Sequence, residues 1–408
     1  MQTNEERRVT AVVTWQGELL GEVGPFPVDS PHWAEAACVV GGLTDRIGVP
    51  AVLLRLLSVD GGEGGRGGLV RYHAEALERP AVELERPAAE LEPASVDGEL
   101  ADHPLRLPWA TADGLRAALD WAGAELAALG RPALGPAEQV KTWNLSGLFR
   151  IPTADGPVWL KTTPPFGVDE ARAIALFATA DPALVPGVLA AADHRVLLEQ
   201  VPGVDCWGVP EDAMLDAVEN LARAQAALAG RRDPALSDRT PAALAGAFGE
   251  LLASGKVTDL STEELAAAHA LTGQLPGIAD ALAACGLPES SVHGDYHPGN
   301  WRHRDGVTVA IDFSDAFFGH PAFDGLRARP FLSPERWAEA RGRWVAAWRE
   351  LAPGSDPERA LELAAPLMHV YYAIRYQEFL DGIEPSERIY HEGDPAGEIR
   401  RALKAVAG

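Results

Sequence analysis

The sequence predicts an α+β protein with two lobes, a β-rich small lobe and a mostly helical large lobe, preceded by a small α+β N-terminal domain. Two observations predict this order. Short apolar, β-branched runs bounded by Gly and Pro turns recur up to about residue 201, with a few helices between them, whereas apolar side chains recur at helical spacing from residue 211 onward. The predicted parts are an N-terminal domain at 1–77, a Pro/Glu-rich linker at 78–107, the small lobe at 108–200 and the large lobe at 201–408.

Composition and charge limit the classes of function. The chain has 408 residues, 47% of them hydrophobic, and a formal net charge of −24. This charge repels nucleic acid and anionic membranes and weakly favours a cationic partner. No apolar run approaches the ~18 residues of a membrane span. The three cysteines form no Cys-x-x-Cys pair, which argues against a disulfide framework or a zinc site. We therefore predict a cytoplasmic protein that binds neither nucleic acid nor membrane.

The N-terminal domain is predicted to be a hairpin, a helix and a second pair of strands. The hairpin turns at Gln16-Gly17, and Ser30 is a suitable N-cap for the helix. A Gly-rich loop joins the last two strands, but it lacks a Gly-Lys-Ser/Thr ending and no helix follows it, so it is interpreted as a hairpin tip rather than a phosphate cradle. The predicted ranges are 9–23 for the hairpin, 30–46 for the helix, and 51–57 and 68–76 for the strands.

A seven-residue repeat then occupies residues 77–93, with a proline in every copy. Each proline costs a helix interior ~3 kcal/mol, so an extended acidic linker or an irregular edge strand is predicted rather than a coiled coil. A helix follows over residues 109–129, with Thr111 as a possible N-cap.

The stretch 291–315 gives the strongest indication of chemistry. Asn300 follows Asp295 by five residues, and a short apolar strand then ends at Asp312. In phosphoryl transfer one carboxylate accepts or orients the substrate hydroxyl, and an amide oxygen and a second carboxylate hold Mg²⁺ against the triphosphate. We therefore predict Asp295 as the catalytic base and Asn300 and Asp312 as metal ligands. A surface turn would explain the glycines of this stretch but not its polar spacing.

A second set of candidates lies upstream, in the order of a nucleotide-binding lobe. Ser146 lies in a strand–loop–strand segment over 139–151, Lys161 lies in an apolar strand, and Glu170 begins a helix. In this order the loop covers the phosphates, Lys161 binds the α- and β-phosphates, and Glu170 pairs with Lys161. Asp169 competes with Glu170 for that pairing, and Lys161 by itself fits any edge-strand lysine.

Three further predictions concern backbone contacts and bracing. The strand over 196–201 ends in a Pro-Gly turn, where the backbones of Glu199 and Val201 would contact the purine edge, although a plain β-turn explains the turn equally well. His293 is expected to brace the loop that holds Asp295. Asp324 is expected to begin a helix and to hydrogen-bond back to that loop.

Together these motifs resemble the aminoglycoside phosphotransferase family, the choline-kinase-like group of small-molecule kinases, over about residues 108–408. The resemblance implies a protein-kinase-like fold with ATP or GTP and Mg²⁺ between two lobes. Three departures from protein kinases favour a small acceptor. Gly294 replaces their Arg, Ser314 replaces the Gly of their Asp-Phe-Gly motif, and no Ala-Pro-Glu motif follows. The matching segments are His293 to Asn300, Ile311 to Asp315 and Gly319 to Asp324.

The resemblance implies a kinase that phosphorylates a hydroxyl of an aminoglycoside or amino sugar, as antibiotic-resistance kinases do. A kinase of a neutral sugar or other metabolite, similar to maltokinases, and a nucleotide-binding pseudokinase that serves as an interaction module are the alternatives. An acidic stretch could line a cationic acceptor site or form a solvated helix end; its members are Glu378, Asp381, Glu384 and Glu387. The acceptor, the choice between ATP and GTP, the role of residues 1–77 and the oligomeric state stay open.

Overall fold

The computed structural model describes residues 6–81, 84, 98–207 and 211–407. The chain forms two compact units. The first consists of Met1–Pro164, Leu189–Leu198 and Leu380–Glu392, and the second of Pro165–Val188, Glu199–Phe379 and Gly393–Gly408. The first unit thus groups the predicted N-terminal domain with strands of the predicted small lobe, and the boundaries at 77, 107 and 200 stay a prediction.

The N-terminal part of the first unit is a four-stranded sheet in the order β2-β1-β4-β3. Strand β1 pairs antiparallel with β2 and parallel with β4, and β3 pairs antiparallel with β4. Gln16 and Gly17 have φ values of 50° and 80°, as a tight hairpin turn requires. The predicted hairpin and strands are confirmed. The strands are β1 (Arg7–Trp15), β2 (Glu18–Val28), β3 (Ala51–Asp60) and β4 (Gly68–Ala76).

The first helix, α1 (Ala37–Ile47), begins later than predicted. The residues before it use their backbone groups in pairings with distant segments. Trp33 N–H donates to the Gly65 carbonyl at 2.8 Å, and Ala36 N–H donates to the Val140 carbonyl at 3.0 Å. These pairings are incompatible with helical hydrogen bonds, so a suitable N-cap at residue 30 did not begin the helix. The predicted helix start was wrong for this reason.

Most of the repeat at 77–93 lies outside the described residues, so neither alternative for the linker is tested. The helix that follows, α2 (Ala112–Ala128), is confirmed, and the Thr111 side chain caps it by accepting from Gly114 N–H at 3.1 Å. Leu115 and Leu126 of α2 belong to a core cluster with Phe149 and Leu160 of the adjacent sheet.

That sheet has five strands in the order β5-β6-β7-β9-β8. It confirms the predicted strand–loop–strand segment, the strand that contains Lys161, and the strand before the Pro-Gly turn. The strands are β5 (Glu138–Trp143), β6 (Ser146–Ile151), β7 (Val158–Thr162), β8 (Val188–Ala192) and β9 (Arg195–Glu199).

The second unit is mostly helical, as predicted. Its helices are α3 (Glu170–Ala178), α4 (Glu211–Ala227), α5 (Pro241–Ala253), α6 (Thr262–Thr272), α7 (Leu275–Ala283), α8 (Ala322–Arg327), α9 (Pro334–Leu351), α10 (Pro357–Gly382), whose last residues belong to the first unit, and α11 (Asp394–Ala407). In the part of the chain that the structure describes, no helix is both long and apolar enough to cross a membrane.

Two small sheets in the second unit frame the 291–315 stretch. One has the order β10-β13-β14 and the other β11-β15-β12. Strand β12 leads into the stretch, β13 and β14 form the hairpin within it, and β15 follows it. The strands are β10 (Val204–Asp205), β11 (Ser237–Arg239), β12 (Ser290–Val292), β13 (Trp301–Arg304), β14 (Val307–Ala310) and β15 (Phe317–Gly319).

Two acidic residues near the C-terminus lie inside the first unit. Glu384 forms ion pairs with Arg55 at 3.3 Å and Arg106 at 3.1 Å, and Glu387 accepts a hydrogen bond from Leu56 N–H at 3.3 Å. Their exposed fractions are only 6% and 3%. Neither prediction for the acidic stretch, an acceptor-lining surface or a solvated helix end, is correct for these two residues, because buried arginine and backbone partners hold them.

Candidate active site

The loop of residues 293–300, called here the 293–300 loop, brings Asp295 and Asn300 together. Asn300 Nδ2 donates to Asp295 Oδ2 and to the Asp295 carbonyl, both at 3.0 Å. Gly294 has φ +88°, and a Cβ there would lie 2.1 Å from the Asp315 carbonyl oxygen. Only glycine therefore fits before Asp295 in this tight turn.

Arg327, at the end of α8, forms an ion pair with Asp295. Its Nε and Nη2 lie 2.8 Å and 2.7 Å from Asp295 Oδ1, and His297 Nε2 lies 3.3 Å from Oδ2. Burial alone would raise the pKa of Asp295, but Arg327 and His297 outweigh burial and hold that pKa well below its ordinary value. Asp295 is therefore a fixed carboxylate that accepts hydrogen bonds.

Asp324, on α8, holds the backbone of the 293–300 loop. Its carboxylate accepts from His293 N–H at 2.7 Å, from Gly294 N–H at 3.0 Å and from Gln225 Nε2 at 2.9 Å. Burial raises the pKa of Asp324 to about 7, against the effect of these donors. Tyr372 also holds the loop, because its hydroxyl donates to the Gly294 carbonyl at 2.7 Å.

His293 is an internal contact of the loop. Burial lowers the pKa of its imidazole to about 4, so the ring is neutral at neutral pH. Its Nε2 lies 3.1 Å from the Ile311 carbonyl, and its ring centroid lies 4.5 Å from that of Phe313. These contacts suit a bracing residue rather than an acid or base.

Asp312 follows strand β14 in the left-handed conformation, with φ 65°. Aspartate tolerates this region better than most residues, and such conformations occur often at functional sites. Ser314 Oγ donates to Asp312 Oδ1 at 2.6 Å. The preceding N–H, that of Ile311, donates to the Asn300 carbonyl at 2.9 Å, which ties the Asp312 segment to the 293–300 loop.

Asn300 and Asp312 have the donor chemistry that Mg²⁺ prefers. Both supply hard oxygen ligands, and Asn300 uses its amide nitrogen, not its oxygen, in the contact with Asp295. Among the described residues, no group of three or more His, Cys, Asp or Glu side chains could hold a metal ion. The chemistry of these two side chains therefore fits Mg²⁺, and their role as metal ligands stays a prediction.

Glu170 contacts the same segment from α3. Its Oε1 accepts from Phe313 N–H at 3.1 Å, and it is 3% exposed. Asp169, its competitor in the sequence, instead caps α3 by accepting from Arg172 N–H at 3.4 Å. Lys161 is buried on β7, in the first unit. The pairing of Lys161 with Glu170 stays a prediction.

The remaining nucleotide-site candidates occupy well-defined local positions. Ser146 Oγ accepts from Trp143 Nε1 at 3.0 Å across the β5–β6 turn. Glu199 N–H donates to the Gly187 carbonyl at 2.8 Å, and the Val201 carbonyl accepts from the side chain of Gln200 at 2.8 Å. The contact of the Glu199 and Val201 backbones with a purine edge stays a prediction.

Sequence reasoning missed Arg327. Its only signal was its position three residues after Asp324 on a short predicted helix, and the residue type is common on helices. It also missed the ion pair between Asp315 and Arg375, in which Arg375 Nη2 lies 2.8 Å from Asp315 Oδ1. Both pairs depend on how helices from later in the chain pack against the motif.

Comparison with known proteins gives a family match. The model of the Phosphotransferase enzyme family (APH) matches residues 146–363. A comparison with curated protein sequences finds no match.

Solved structures of small-molecule kinases are similar to the chain. Choline kinase LicA from Streptococcus pneumoniae has 13% identity and a TM-score of 0.50, over 71% of this chain and 98% of that one. Macrolide 2'-phosphotransferase type I has 20% identity and a TM-score of 0.48, over 70% and 97%. The GDP and kanamycin complex of APH(2")-IIia has 14% identity and a TM-score of 0.49, over 71% and 99%.

The likeness to the choline kinase supports the predicted α+β, protein-kinase-like fold. The family match covers more than half of the chain. The chain therefore belongs to the phosphotransferase enzyme family and is a small-molecule kinase that acts on a hydroxyl acceptor.

Proposed function

We propose that this protein transfers the γ-phosphoryl group of ATP or GTP to a hydroxyl of a small acceptor, with Asp295 as the residue that binds that hydroxyl. One observation supports this most: the 293–300 loop sets the Asp295 carboxylate against Asn300, and a backbone hydrogen bond joins Asn300 to the segment of Asp312. This arrangement supports one carboxylate for the acceptor hydroxyl and two oxygen ligands for a metal, as phosphoryl transfer needs.

Asp295 orients the acceptor hydroxyl by accepting its hydrogen bond. Because its pKa is held well below the ordinary value, the carboxylate is a weak base. A loose transition state requires little proton removal before the new phosphorus–oxygen bond forms, so a weak, fixed base suffices. When bound by Asn300 and Asp312, Mg²⁺ would supply positive charge to the phosphate oxygens.

The nucleotide roles follow the order of the small lobe. Lys161 would bind the α- and β-phosphates, Ser146 would lie in the turn that covers them, and Glu170 would hold Lys161 while it anchors Phe313. The backbones of Glu199 and Val201 would contact the purine edge.

The proposed acceptor is an aminoglycoside or amino sugar, and the alternative is a neutral sugar or other metabolite. The net charge of −24 supports a cationic acceptor only through long-range attraction. A salt titration separates the two classes. The KM of a cationic acceptor steered by carboxylates should rise strongly with salt, whereas the KM of a neutral sugar should not.

The variant Asp295→Asn tests the proposal. It should lower kcat by ~10²–10⁴-fold, because the amide is a poor base, while the affinity for ATP persists. Asp305→Asn is the matched control, since the Asp305 side chain is 84% exposed. Nucleotide consumption is measured with ATP or GTP and a panel of kanamycin, glucosamine, glucose and choline. Normal turnover by Asp295→Asn would refute the role of Asp295, and no turnover by the wild type with any acceptor would favour the pseudokinase.

A further inference from the structure

Two exposed aromatic side chains pack with each other and with His297, whose Nε2 lies 3.3 Å from Asp295 Oδ2. Trp207 is 54% exposed and Phe331 is 39% exposed. The ring centroids of Trp207 and Phe331 lie 5.4 Å apart with an interplanar angle of 64°, and the His297 ring lies 5.5 Å from the first and 4.6 Å from the second. We call these three side chains the aromatic corner.

The aromatic corner is attached to the 293–300 loop on one side. Cys206 N–H donates to the Pro298 carbonyl at 3.0 Å, and this bond fixes the chain just before Trp207. A Cβ on Gly299 would lie 2.6 Å from Cζ2 of Trp207, so the indole rests directly on the loop backbone. A larger residue at 299 would displace it.

Its other side is attached through α8. Phe331 ends the 3-10 turn Arg329–Phe331, which follows directly after α8 and Arg327. Arg327 in turn binds Asp295. Both aromatic side chains are thus held by the elements that hold Asp295, and His297 joins the corner to that carboxylate at 3.3 Å.

The geometry favours an acceptor with an apolar face and a hydroxyl at its edge. A saturated sugar ring has both, because its C–H groups can stack on an aromatic ring while its hydroxyls project around the rim. An ammonium group fits less well. The guanidinium carbon of Arg327 lies 5.1 Å from the Phe331 ring centroid, so a protein cation already occupies the cation–π position of this ring and an ammonium group would have to compete with it.

We propose that the aromatic corner binds a sugar ring of the acceptor by stacking, with the hydroxyl to be phosphorylated directed at Asp295. This inference rests on the proposed function and narrows its acceptor to molecules with a pyranose ring. It excludes choline and other acyclic amino alcohols as the preferred acceptor.

Kinetic variants test the aromatic corner. Trp207→Ala and Phe331→Ala should each raise the KM of glucosamine or kanamycin about tenfold, a factor that corresponds to ~1.4 kcal/mol. The KM of ATP should change far less, and Trp207→Phe should restore most of the affinity. Val307→Ala removes a side chain that is 53% exposed elsewhere in the same unit and serves as the matched control. An unchanged KM in both alanine variants would overturn the proposal.

A binding measurement keeps the test independent of turnover. In saturation-transfer NMR, the ring C–H protons of glucosamine and kanamycin should receive saturation from the wild type and lose it in Trp207→Ala, while choline methyl protons receive none. Equal signals from both proteins would overturn the proposal, as would binding of choline alone. Ring binding without any phosphate transfer would support the corner but contradict the proposed function. A shift from dimer to monomer in Trp207→Ala, with sugar signals unchanged, would assign the corner to a second copy and overturn the proposal.

Discussion

Replacing Arg327 by Met tests whether its ion pair with Asp295 serves phosphoryl transfer. The substitution removes the charge but keeps an apolar stem that can still pack near Phe331 and Tyr372. The two side chains of the pair are 18% and 27% exposed, so water screens the interaction only in part. Without Arg327, Asp295 Oδ1 loses two donors at 2.8 Å and 2.7 Å, and only the contacts of Oδ2 with Asn300 and His297 still orient the carboxylate.

The expected loss follows from this partial burial. Exposed ion pairs contribute ~0–1 kcal/mol, whereas breaking a fully buried pair costs ~3–5 kcal/mol. A pair that is about one fifth exposed falls between these limits, at roughly 2–3 kcal/mol. If that energy orients Asp295 toward the acceptor in the transition state, kcat should fall roughly 30- to 150-fold. Arg327→Lys, which keeps the charge but not the planar guanidinium, should lose less.

The assay is steady-state ADP or GDP release with an acceptor that the wild type phosphorylates, together with the KM of the nucleotide. Arg343→Met is the matched control, because Arg343 is 42% exposed and pairs with Asp216 and Glu219 at 3.4 Å and 3.5 Å. It should change kcat less than twofold. A folded Arg327→Met protein with kcat within twofold of the wild type would refute the reasoning. A higher kcat would refute it as well, since the pair would then restrain Asp295.

Two further variants probe the residues that hold the site and the first unit. Asp324→Asn keeps one acceptor oxygen but turns an NH₂ group toward N–H donors. It should therefore lower the free energy of unfolding by ~2–4 kcal/mol, measured by urea unfolding, and lower kcat at least tenfold. An unchanged kcat would contradict the role of Asp324 in holding the 293–300 loop. Glu387→Gln tests a buried acid whose pKa burial raises to about 8 from an ordinary value of 4.5. Between pH 4.5 and 8 the folded state keeps a proton on Glu387 that the unfolded state releases. The free energy of unfolding of the wild type should therefore fall by ~2–4 kcal/mol as pH rises from about 5 to 8, and that of Glu387→Gln should not. Parallel curves of unfolding free energy against pH for the two proteins would contradict the assigned burial.

The sequence predicted the boundary of a helix or strand correctly where the residues at that boundary determine it by themselves. The Gln16-Gly17 turn and the Thr111 cap each define a boundary through their own backbone preference or side chain, and both boundaries were correct. The predicted start of α1 was wrong, because the residues before Ala37 pair with Gly65 and Val140. No pattern within residues 30–46 contains those distant partners.

The site residues divide in the same way, into those that the local sequence predicts and those that depend on the packing of distant segments. Spacing along one loop placed Asp295 near Asn300, since five residues of tight turn cannot separate them far. Arg327 comes from a helix whose packing decides which side chain reaches Asp295, and the sequence does not specify that packing locally. The buried pair of Glu384 with Arg106, 278 residues apart, was missed for the same reason.

Because such long-range pairs bury charged residues, the net charge of the chain is a poor guide to the charge of the acceptor. A balance of −24 suggested a polycationic substrate, but Glu384 and Glu387 are enclosed by the first unit and cannot attract one. The exposed rings of Trp207 and Phe331 pack with His297, which lies 3.3 Å from Asp295, and the charge of Arg327 is balanced by its ion pair with Asp295. Screening confines electrostatic attraction to about 8–10 Å at physiological salt, so groups at this distance decide recognition. The acceptor should therefore be chosen by the fit of its ring to the aromatic corner, and its charge should affect chiefly the rate of encounter.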